Sequence, residues 1–551
     1  MGQNALISGL QTERANTALL DRFLTEQQHL SAVEKFAQQH AAEAFPLQAK
    51  YYHDLIPLEQ PKNGQQYAFE VNLDACSGCK SCVTACHSMN GLDPNEVWRS
   101  VGLLVGGTPE LPMLQMVTAS CHHCAHPACM NGCPVLAYEK SPFTGIVKHL
   151  DDQCIGCQYC VLMCPYDVPK YNPARGIVRK CDMCSSRLEA HEAPACVQGC
   201  PTSAIRIAIV DTAEAQARAE REHFLPASPD PRHTVPTTRY VRSQPFPNET
   251  RAANNTVVRP SDRHTPLVFM MVLTQISVGL FFTGLMDRIL HAGVVPAVSS
   301  RTASLLALSA AMLGLNIALL HLGKPLYAFR AILGLKRSWM SREIVVFGLF
   351  GALATAFTFV NRPGATGAAV NLELLTILAG FTGVFCSAMI YVDTKRECWT
   401  FAHTVPLFVL TTLLLGVGSS MLIAALYGRT GDAWFGFLCR AMIGVTFGKL
   451  TLELSVLRHR TPAPIEPIAP MARTALLLTT QLRRTLTLRV ISGLAGGIVL
   501  PMLLLQIHDR SVGTQELAVL SLALLLAGEL LERTLFFQSA AIAAMPGALT
   551  T

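Results

Sequence analysis

The sequence predicts an α+β domain followed by an all-α domain of eight transmembrane helices. Sixteen of its 19 cysteines lie between Cys76 and Cys200, among short runs of strand-forming residues. Eight long apolar stretches then follow from Thr265 onward. Only 15% of the 551 residues are charged and the net charge is +6, whereas soluble proteins carry about 25% charged residues. This composition excludes a wholly soluble, a disordered and a nucleic-acid-binding chain.

Residues 1–66 are predicted to form a helical N-terminal extension. Apolar residues in Leu19–His40 recur at spacings of three and four, as in an amphipathic helix. Such a helix either docks onto a partner or covers the core of its own chain, and the second interpretation is favoured because it is the more common one. The N-terminal residues contain neither a basic segment followed by an apolar segment nor a twin-arginine signal. The cysteines are therefore predicted to stay in a reducing compartment.

Residues 67–212 are predicted to form the cysteine-rich α+β domain. Its predicted strands are Phe69–Leu73, Ile146–Leu150 and Ile205–Val210. Residues 213–263 contain seven prolines between Pro226 and Pro260. Because that density prevents regular structure, this segment is predicted to be an extended linker or strap.

The sixteen cysteines fall into four groups of four. The first and third groups have the spacing C-x2-C-x2-C-x3-C, the second has C-x2-C-x4-C-x3-C and the fourth has C-x2-C-x11-C-x3-C. In order, they are Cys76, Cys79, Cys82 and Cys86; Cys121, Cys124, Cys129 and Cys133; Cys154, Cys157, Cys160 and Cys164; and Cys181, Cys184, Cys196 and Cys200. Three of the groups end in Cys-Pro.

This spacing is typical of [4Fe–4S] sites, in which the last cysteine of each group ligates a different cluster from the first three. Four groups predict four clusters with no cysteine left over, and hence a ferredoxin-like, multi-cluster iron–sulfur domain. Zinc ribbons use C-x2-C pairs but do not call for the third cysteine and the C-x3-C-P run. A disulfide framework needs an oxidising compartment. Both alternatives fit the pattern less well.

Residues 264–551 are predicted to form the membrane domain. Each apolar stretch is about as long as the ~20 helical residues that cross a hydrocarbon core. The stretches lie near residues 265–286, 303–323, 343–361, 372–392, 404–427, 434–456, 490–507 and 517–537. Sixteen lysines and arginines flank the ends that adjoin the cysteine-rich domain, and five flank the opposite ends: Arg288, Arg301, Arg362, Arg429 and Arg510. This asymmetry predicts that the iron–sulfur domain and both termini lie on the cytoplasmic side of a bacterial-type inner membrane.

The cysteine motifs CHHCAHPACMNGCP, CIGCQYCVLMCPYDVPKY and GIVRKCDMC resemble the iron–sulfur subunit of the dimethyl sulfoxide reductase family of molybdenum enzymes. The resemblance implies that the first group pairs with the fourth and the second with the third. The implied ligands are Cys76, Cys79, Cys82 and Cys200 for a first cluster; Cys86, Cys181, Cys184 and Cys196 for a second; Cys121, Cys124, Cys129 and Cys164 for a third; and Cys133, Cys154, Cys157 and Cys160 for a fourth.

The membrane half resembles the eight-helix anchor subunit of the same enzymes. The motifs are HLGKP (321–325), SWMSRE (338–343), CSAMIYVDTKRECW (386–399) and GELLERTLFF (528–537). Two subunits that are usually separate chains are thus predicted to be fused. The resemblance implies exchange of electrons with quinone in the bilayer, and no set of histidines at the middle of the membrane predicts haem.

The predicted quinone-binding residues are His321, Arg342 and Glu343, at the membrane face nearest the cysteines. A histidine and a carboxylate there could exchange the protons of a quinone. In the alternative interpretation, His321 bonds to loop backbone and Glu343 pairs with Arg342 or Lys336.

Ionisable residues also occur in the sixth and eighth stretches, namely Lys449, Glu453, Glu529, Glu532 and Arg533. Charges inside a membrane segment indicate function by default. Because these residues lie near one end of their stretches, the favoured interpretation is that they pair or extend toward the membrane surface.

Together these features predict an electron-transfer and anchor module without a substrate-converting site of its own. A separate molybdopterin-containing catalytic subunit would dock on the iron–sulfur domain. Four clusters would relay electrons between that subunit and membrane quinone, as in sulfite dehydrogenases or dimethyl sulfoxide reductases. The alternatives are a redox protein that translocates protons and a structural anchor that has clusters but no quinone site.

Overall fold

The computed structural model describes residues 18–25, 28–29, 31–42, 51–255, 257–290, 297–361, 367–460, 469–507, 512–540 and 545–546. Within them, a mixed α/β domain with small sheets precedes eight helices that are long and apolar enough to cross a membrane. The predicted fold class is therefore confirmed. Arg362 and Arg510, two of the basic residues assigned to the far membrane face, lie outside the described residues.

The described part of the first domain has ten short strands in four small sheets. They are β1 (Gln65–Asn72), β2 (Ser100–Gly107), β3 (Pro112–Ala119), β4 (Tyr138–Lys140), β5 (Val147–His149), β6 (Lys170–Asn172), β7 (Ile177–Arg179), β8 (Ile205–Asp211), β9 (Arg239–Val241) and β10 (Arg251–Ala252). Strand β1 pairs antiparallel with β8 and parallel with β9. The three predicted strands coincide with β1, β5 and β8.

Among the described residues, these helices accompany the strands: α1 (Ala32–Ala42), α2 (Ser81–Met89), α3 (Ala128–Gly132), α4 (Tyr159–Met163), α5 (Ser185–Glu189), α6 (Ala195–Gln198) and α7 (Thr212–Arg221). Helices α2, α3, α4 and α6 contain cysteines, and α5 follows one directly. Lys80, Gln158 and Cys184 precede α2, α4 and α5 in the left-handed conformation, with φ of 64°, 60° and 49°. The chain thus turns sharply from each C-x2-C loop into its helix, which keeps the cysteines of the loop and of the helix on the same side.

The segment 213–263 differs from its prediction as a linker without regular structure. It contains most of α7, whose N-terminus is capped by the Asp211 carboxylate, and it supplies β9 and β10. Its prolines lie between these elements, where they interrupt no strand ladder. This segment therefore forms part of the iron–sulfur domain.

The N-terminal amphipathic segment also differs from its prediction. Helical residues 18–25 and helix α1 are separate, and Leu19, Leu20 and Phe23 are more than half exposed. These three side chains therefore do not cover the core of the chain. Docking onto a partner stays a prediction.

The eight membrane helices, called spans 1 to 8, have these bounds: Thr265–Leu290, Ala297–Leu319, Trp339–Val360, Gly367–Val392, Phe401–Leu426, Ala433–Leu454, Arg483–Gln506 and Val512–Gln538. Span 7 contains a π-helical turn at Ala495–Val499. Spans 1 and 5 approach closely at Gly279, where a Cβ atom would lie 2.2 Å from the carbonyl oxygen of Thr412. Glycine at this position lets the backbones of spans 1 and 5 touch.

Both ends of the described membrane domain meet the iron–sulfur domain on one face of the bundle. Ser261 donates its N–H to the carbonyl of Gln538, and its hydroxyl donates to the carbonyl of Ala540. Beyond span 8, Met545 packs in an apolar cluster with Val71 and Leu225 of the iron–sulfur domain. The iron–sulfur domain and the residues after span 8 therefore lie on the same side of the bundle.

Candidate electron-transfer site

Two of the cysteine sets implied by the resemblance each surround one cavity. The first set lines one small cavity and the third lines another. The lining cysteines are Cys76, Cys79, Cys82 and Cys200 for the first, and Cys121, Cys124, Cys129 and Cys164 for the third. Each cavity thus joins cysteines that are distant in the sequence.

The second and fourth sets also come together. The Asn90 amide nitrogen lies 3.6 Å from the sulfur of Cys86 and 3.8 Å from that of Cys184. Burial raises the pKa of Cys86 to about 12, and the thiols of Cys196 and Cys184 contribute to the increase. In the fourth set, burial and then the neighbouring thiol of Cys133 raise the pKa of Cys157.

The cysteine sets fit iron–sulfur clusters better than single metal ions. Backbone N–H groups point at the sulfurs of Cys133, Cys154, Cys181 and Cys200, at 3.2–3.4 Å. Such hydrogen bonds to sulfur are a feature of iron–sulfur sites, where they stabilise the thiolate ligand.

Burial makes several of the sixteen cysteines poor thiolates unless a cation replaces the proton. It raises the pKa of Cys133 and of Cys164 to about 11. Burial also acts on Cys154, but the hydrogen bond with His149 brings the pKa of that thiol below its usual value. A metal ligand must be deprotonated, so cluster binding would release these protons and stabilise the folded domain. The cysteines in this arrangement could hold clusters that pass single electrons.

The membrane domain holds the fourth cysteine set from two sides. In the loop after span 2, the N–H of Lys324 donates to the carbonyl of Ile155 at 3.0 Å. Before span 3, the Gly334 N–H donates to the carbonyl of Pro134 at 2.8 Å. Ser338 at the start of span 3 donates its hydroxyl to the carbonyl of Gly132 at 2.7 Å. The segments carrying Cys133 and Cys154–Cys160 are therefore in direct contact with the bundle.

Glycines make this contact a close one. A Cβ atom on Gly323 would lie 2.1 Å from the carbonyl oxygen of Gly176, and one on Gly156 would lie 2.9 Å from the nitrogen of Gly323. Both distances are too short for a non-bonded contact of a Cβ atom. Only glycine therefore allows the loop after span 2 to reach the backbone around the fourth set.

Two of the three predicted quinone-binding residues lie beside the fourth set. His321 Nε2 lies 3.2 Å from the carbonyl oxygen of Cys157. Burial lowers the pKa of His321 to about 4, so its imidazole is neutral. Because a carbonyl only accepts hydrogen bonds, Nε2 carries the proton and Nδ1 is left as an acceptor. His321 thus also bonds to backbone, as the alternative interpretation predicted. That backbone belongs to the iron–sulfur domain.

Glu343 is buried in span 3 and accepts a hydrogen bond from Ser387 of span 4. One turn further along span 4, the carbonyl of Ile390 accepts the hydroxyl of Tyr159, which lies between two cysteines of the fourth set. Arg342 is turned away and donates to the carbonyls of Leu335 and Lys336. The alternative that Glu343 pairs with Arg342 or Lys336 is therefore wrong, because its carboxylate faces the helix bundle.

Sequence reasoning missed His264. Its ring lies 5.2 Å from that of His321 and 5.1 Å from that of Phe537. His264 directly precedes span 1, and His321 follows span 2. Their positions at the same end of adjacent spans were a signal in the sequence, because such ends adjoin in an antiparallel helix pair.

The charged residues of spans 6 and 8 form a buried network. Lys449 lies 2.9 Å from the Glu529 carboxylate and 2.7 Å from that of Glu453. Arg489 bridges the same two carboxylates at 2.8–2.9 Å, and Arg533 lies 3.3 Å from Glu532. These residues pair as expected, but they do not extend to the membrane surface, since the three cations have exposed fractions of 0–1%.

The predicted seventh stretch, 490–507, leaves Arg489 among the basic residues of the loop before span 7. In the structure, span 7 begins at Arg483, seven residues earlier than predicted, and includes Arg489. The helix extends because Arg489 finds the carboxylates of Glu453 and Glu529 inside the bundle. The sequence alone does not show that Arg489 is buried, because an arginine near the end of an apolar stretch can either pair inside the bundle or lie at the surface.

The fold and this site define an iron–sulfur electron-transfer protein with a multi-pass membrane anchor. Residues 113–209 match the 4Fe-4S dicluster domain. Residues 262–538, half of the chain, match the DMSO reductase anchor subunit (DmsC) family. The chain therefore belongs to the dimethyl sulfoxide reductase family, with the iron–sulfur and anchor subunits fused.

Curated relatives support the first half of this assignment. The B subunit of the anaerobic dimethyl sulfoxide reductase of Haemophilus influenzae is 35% identical over 156 residues, which is 27% of this chain and 76% of that protein. The probable anaerobic dimethyl sulfoxide reductase subunit YnfG of Escherichia coli K12 is 34% identical over 174 residues, 29% of this chain and 84% of that protein. The hydrogenase-2 operon protein HybA of Escherichia coli O157:H7 is 36% identical over 157 residues, 24% of this chain and 48% of that protein.

Proposed function

We propose that this chain relays electrons through four [4Fe–4S] clusters between a molybdopterin-containing catalytic subunit and membrane quinone. The observation that carries the proposal is the contact between the fourth cysteine set and the bundle end that contains His321 and Glu343. Each bound cluster would supply one-electron transfer, and the sixteen cysteines in their four sets would hold the clusters. The relatives named as dimethyl sulfoxide reductase subunits support the molybdopterin partner.

The membrane residues suit the proton chemistry of a quinone. Oxidation of a quinol releases two electrons and two protons, whereas an iron–sulfur cluster takes only electrons. His321 Nδ1 offers an acceptor for a quinol hydroxyl, and the Glu343 carboxyl offers a second group that exchanges protons. The Tyr159 hydroxyl links the two domains at this place. The Ser387 hydroxyl holds the Glu343 side chain in position.

The first test measures composition. Anaerobic purification of the solubilised complex should give about sixteen irons per chain, together with a large molybdenum-bearing polypeptide. Zinc in place of iron, or far fewer irons, would contradict four clusters. Full iron without a partner would contradict the complex.

The second test locates the quinone site. His321→Ala and Glu343→Gln should lower quinone-linked turnover at least tenfold while a soluble dye still exchanges electrons with the complex at the parent rate. Arg342→Gln is the matched control, because the Arg342 guanidinium contacts the carbonyls of Leu335 and Lys336 and the Trp339 ring and forms no ion pair with Glu343. Full quinone-linked turnover in both variants would favour a structural anchor without a quinone site.

We further propose that the iron–sulfur domain faces the cytoplasm. The excess of lysine and arginine at the bundle ends nearest that domain supports this orientation. Cleavage of the domain by protease in inverted membrane vesicles, and its protection in intact spheroplasts, would test it. Cleavage only in spheroplasts would reverse the orientation.

A further inference from the structure

Two cations are buried inside the iron–sulfur domain without a carboxylate. Arg99 has an exposed fraction of 2% and Lys180 one of 3%. Among the described residues neither forms an ion pair with an Asp or Glu, and the Asp182 carboxylate acts on Lys180 only from beyond ion-pair distance. Other arginines of this domain do have such partners, as Arg179 does in Glu96 at 2.8 Å. A buried cation without an anion costs several kcal/mol, so these two need negative charge from another source.

Lys180 lies between the second and third cysteine sets. It directly precedes Cys181 of the second set, and its Nζ lies 3.6 Å from the sulfur of Cys121 in the third set. The same ammonium donates to the carbonyls of Val147 and Cys181. These two hydrogen bonds hold the positive charge of Lys180 between the two sets.

Arg99 lies between the first and second sets. Its guanidinium donates to the hydroxyl of Thr118 at 3.1 Å, and that hydroxyl lies 3.6 Å from the sulfur of Cys82 in the first set. Phe69, whose ring faces the Arg99 guanidinium, packs in one buried cluster with Cys82 of the first set and with Cys181 and Cys196 of the second. A second donation to Ser120 at 2.8 Å and the Phe69 ring at 4.6 Å hold the guanidinium in place.

The junction between the third and fourth sets has a different occupant. Tyr138 is buried there, and its hydroxyl has no hydrogen-bond partner among the described residues. Tyr138 packs in one buried cluster with Cys160 of the fourth set, and Cys129 of the third set packs against the same cluster. The phenol of a tyrosine is neutral at physiological pH. His149, beside the fourth set, is paired with Asp151 at 2.8 Å. This junction therefore has a neutral phenol where the other two have a cation.

We propose that Arg99 and Lys180 are positioning residues that raise the reduction potentials of the first three clusters relative to the fourth. The inference rests on the proposed four-cluster function. A cluster with four thiolates is negatively charged and gains one further negative charge when it takes an electron, with no bond made or broken. A fixed cation beside it stabilises the reduced form, and net charge is one of the factors that set cluster potentials.

The test is a redox titration of the intact complex, followed by the electron paramagnetic resonance signals of the reduced clusters. Lys180→Gln should make reduction at least tenfold less favourable for two clusters, which is a 59 mV decrease in potential for a one-electron couple. Arg99→Gln should have the same effect on a different, overlapping pair. Lys180→Arg and Arg99→Lys should restore the parent potentials, because they keep the charge.

Arg179→Gln is the matched control, since it removes a cation that Glu96 already balances, and it should move no potential by that amount. Iron content is measured first in each variant. A parent preparation with fewer than four reducible clusters would contradict the proposed function, whereas four clusters with unchanged potentials in both Gln variants would contradict this inference alone.

A second measurement covers the case in which a Gln variant fails to retain iron. His321→Gln alters the group that contacts Cys157 and so perturbs the fourth cluster without removing a ligand. The cluster whose signal or potential it moves should be the one with the lowest potential of the four. If the perturbed cluster has instead one of the higher potentials, the proposal is wrong.

Discussion

Six lysines and arginines are buried in the described residues, four in the membrane domain and two in the iron–sulfur domain. The four in the membrane domain are Arg429, Lys449, Arg489 and Arg533, and each has a carboxylate within 3.3 Å. Arg99 and Lys180 face cysteine sulfurs instead. The membrane domain thus balances its buried charge within the polypeptide, whereas the iron–sulfur domain has its buried cations beside sites that bind anionic clusters.

The two domains are stabilised in different ways. A charge network made of protein side chains is complete as soon as the helices pack. A cavity surrounded by thiols and a cation is complete only when it holds a cluster. The two domains should therefore respond differently to the loss of iron, to the loss of a carboxylate and to changes at their contact.

Removal of iron is expected to have the largest effect. It tests directly whether the two domains differ in how their buried charges are balanced. Chelation of iron under anaerobic, reducing conditions should unfold the iron–sulfur domain, because its buried thiols and two buried cations lose their counter-charges. The eight spans should stay helical, since their charges are balanced internally. Limited proteolysis with mass spectrometry would show cleavage within residues 67–263 and protection of the spans. Equal protection of both parts would contradict the comparison.

Glu529→Gln should have the next largest effect, on the membrane domain. It leaves Lys449 and Arg489 with one fewer carboxylate in a buried site, and breaking such a buried pair costs about 3–5 kcal/mol. Thermal unfolding in detergent should show the loss in stability, with iron content unchanged. Exposed Glu397→Gln is the control. Combining Glu529→Leu with Lys449→Leu should recover part of the stability, and no recovery would argue against charge balance as the reason.

Gly323→Ala tests the contact between the two domains. The new Cβ atom would collide with the carbonyl of Gly176, and overpacking of this kind costs about 1–3 kcal/mol. Electron transfer between the clusters and quinone should slow, while dye-linked turnover should not. Gly348→Ala in span 3 is matched to it, because nothing lies within 4 Å of its Cβ position. Equal rates in the two variants would place the electron route elsewhere.

Tyr159→Phe should have the smallest effect. It removes one hydrogen bond across the contact, from the Tyr159 hydroxyl to the carbonyl of Ile390 at 3.0 Å. The expected loss is about 1 kcal/mol, seen as a small decrease in the unfolding temperature of the whole chain. Tyr327→Phe, at an exposed tyrosine of the membrane domain, should leave that temperature unchanged. A larger effect than that of Gly323→Ala would mean that this hydroxyl does more than join the domains.

The sequence by itself determined the elements whose signals are local. Cysteine spacing marked the segments that form the four sets, because a C-x2-C loop brings two sulfurs together whatever surrounds it. Apolar length marked all eight spans, because a membrane helix must bury about 20 residues of backbone by itself. The positions of His321 and Glu343 at the span ends that adjoin the cysteine-rich domain also follow from the sequence, whereas their role toward quinone stays a prediction.

Only the tertiary structure decided the features that depend on partners distant in the sequence. The prolines of residues 213–263 hid strands β9 and β10, because short edge strands are fixed by the sheet they join and not by their own composition. Arg489 was placed in a loop because its carboxylate partners lie in two other spans. Arg99 gave no signal at all, since its role depends on the cysteines that folding brings around it. Local geometry can thus be predicted from spacing, whereas charge balance requires the assembled protein, because electrostatic interactions in a buried site depend on every charge nearby.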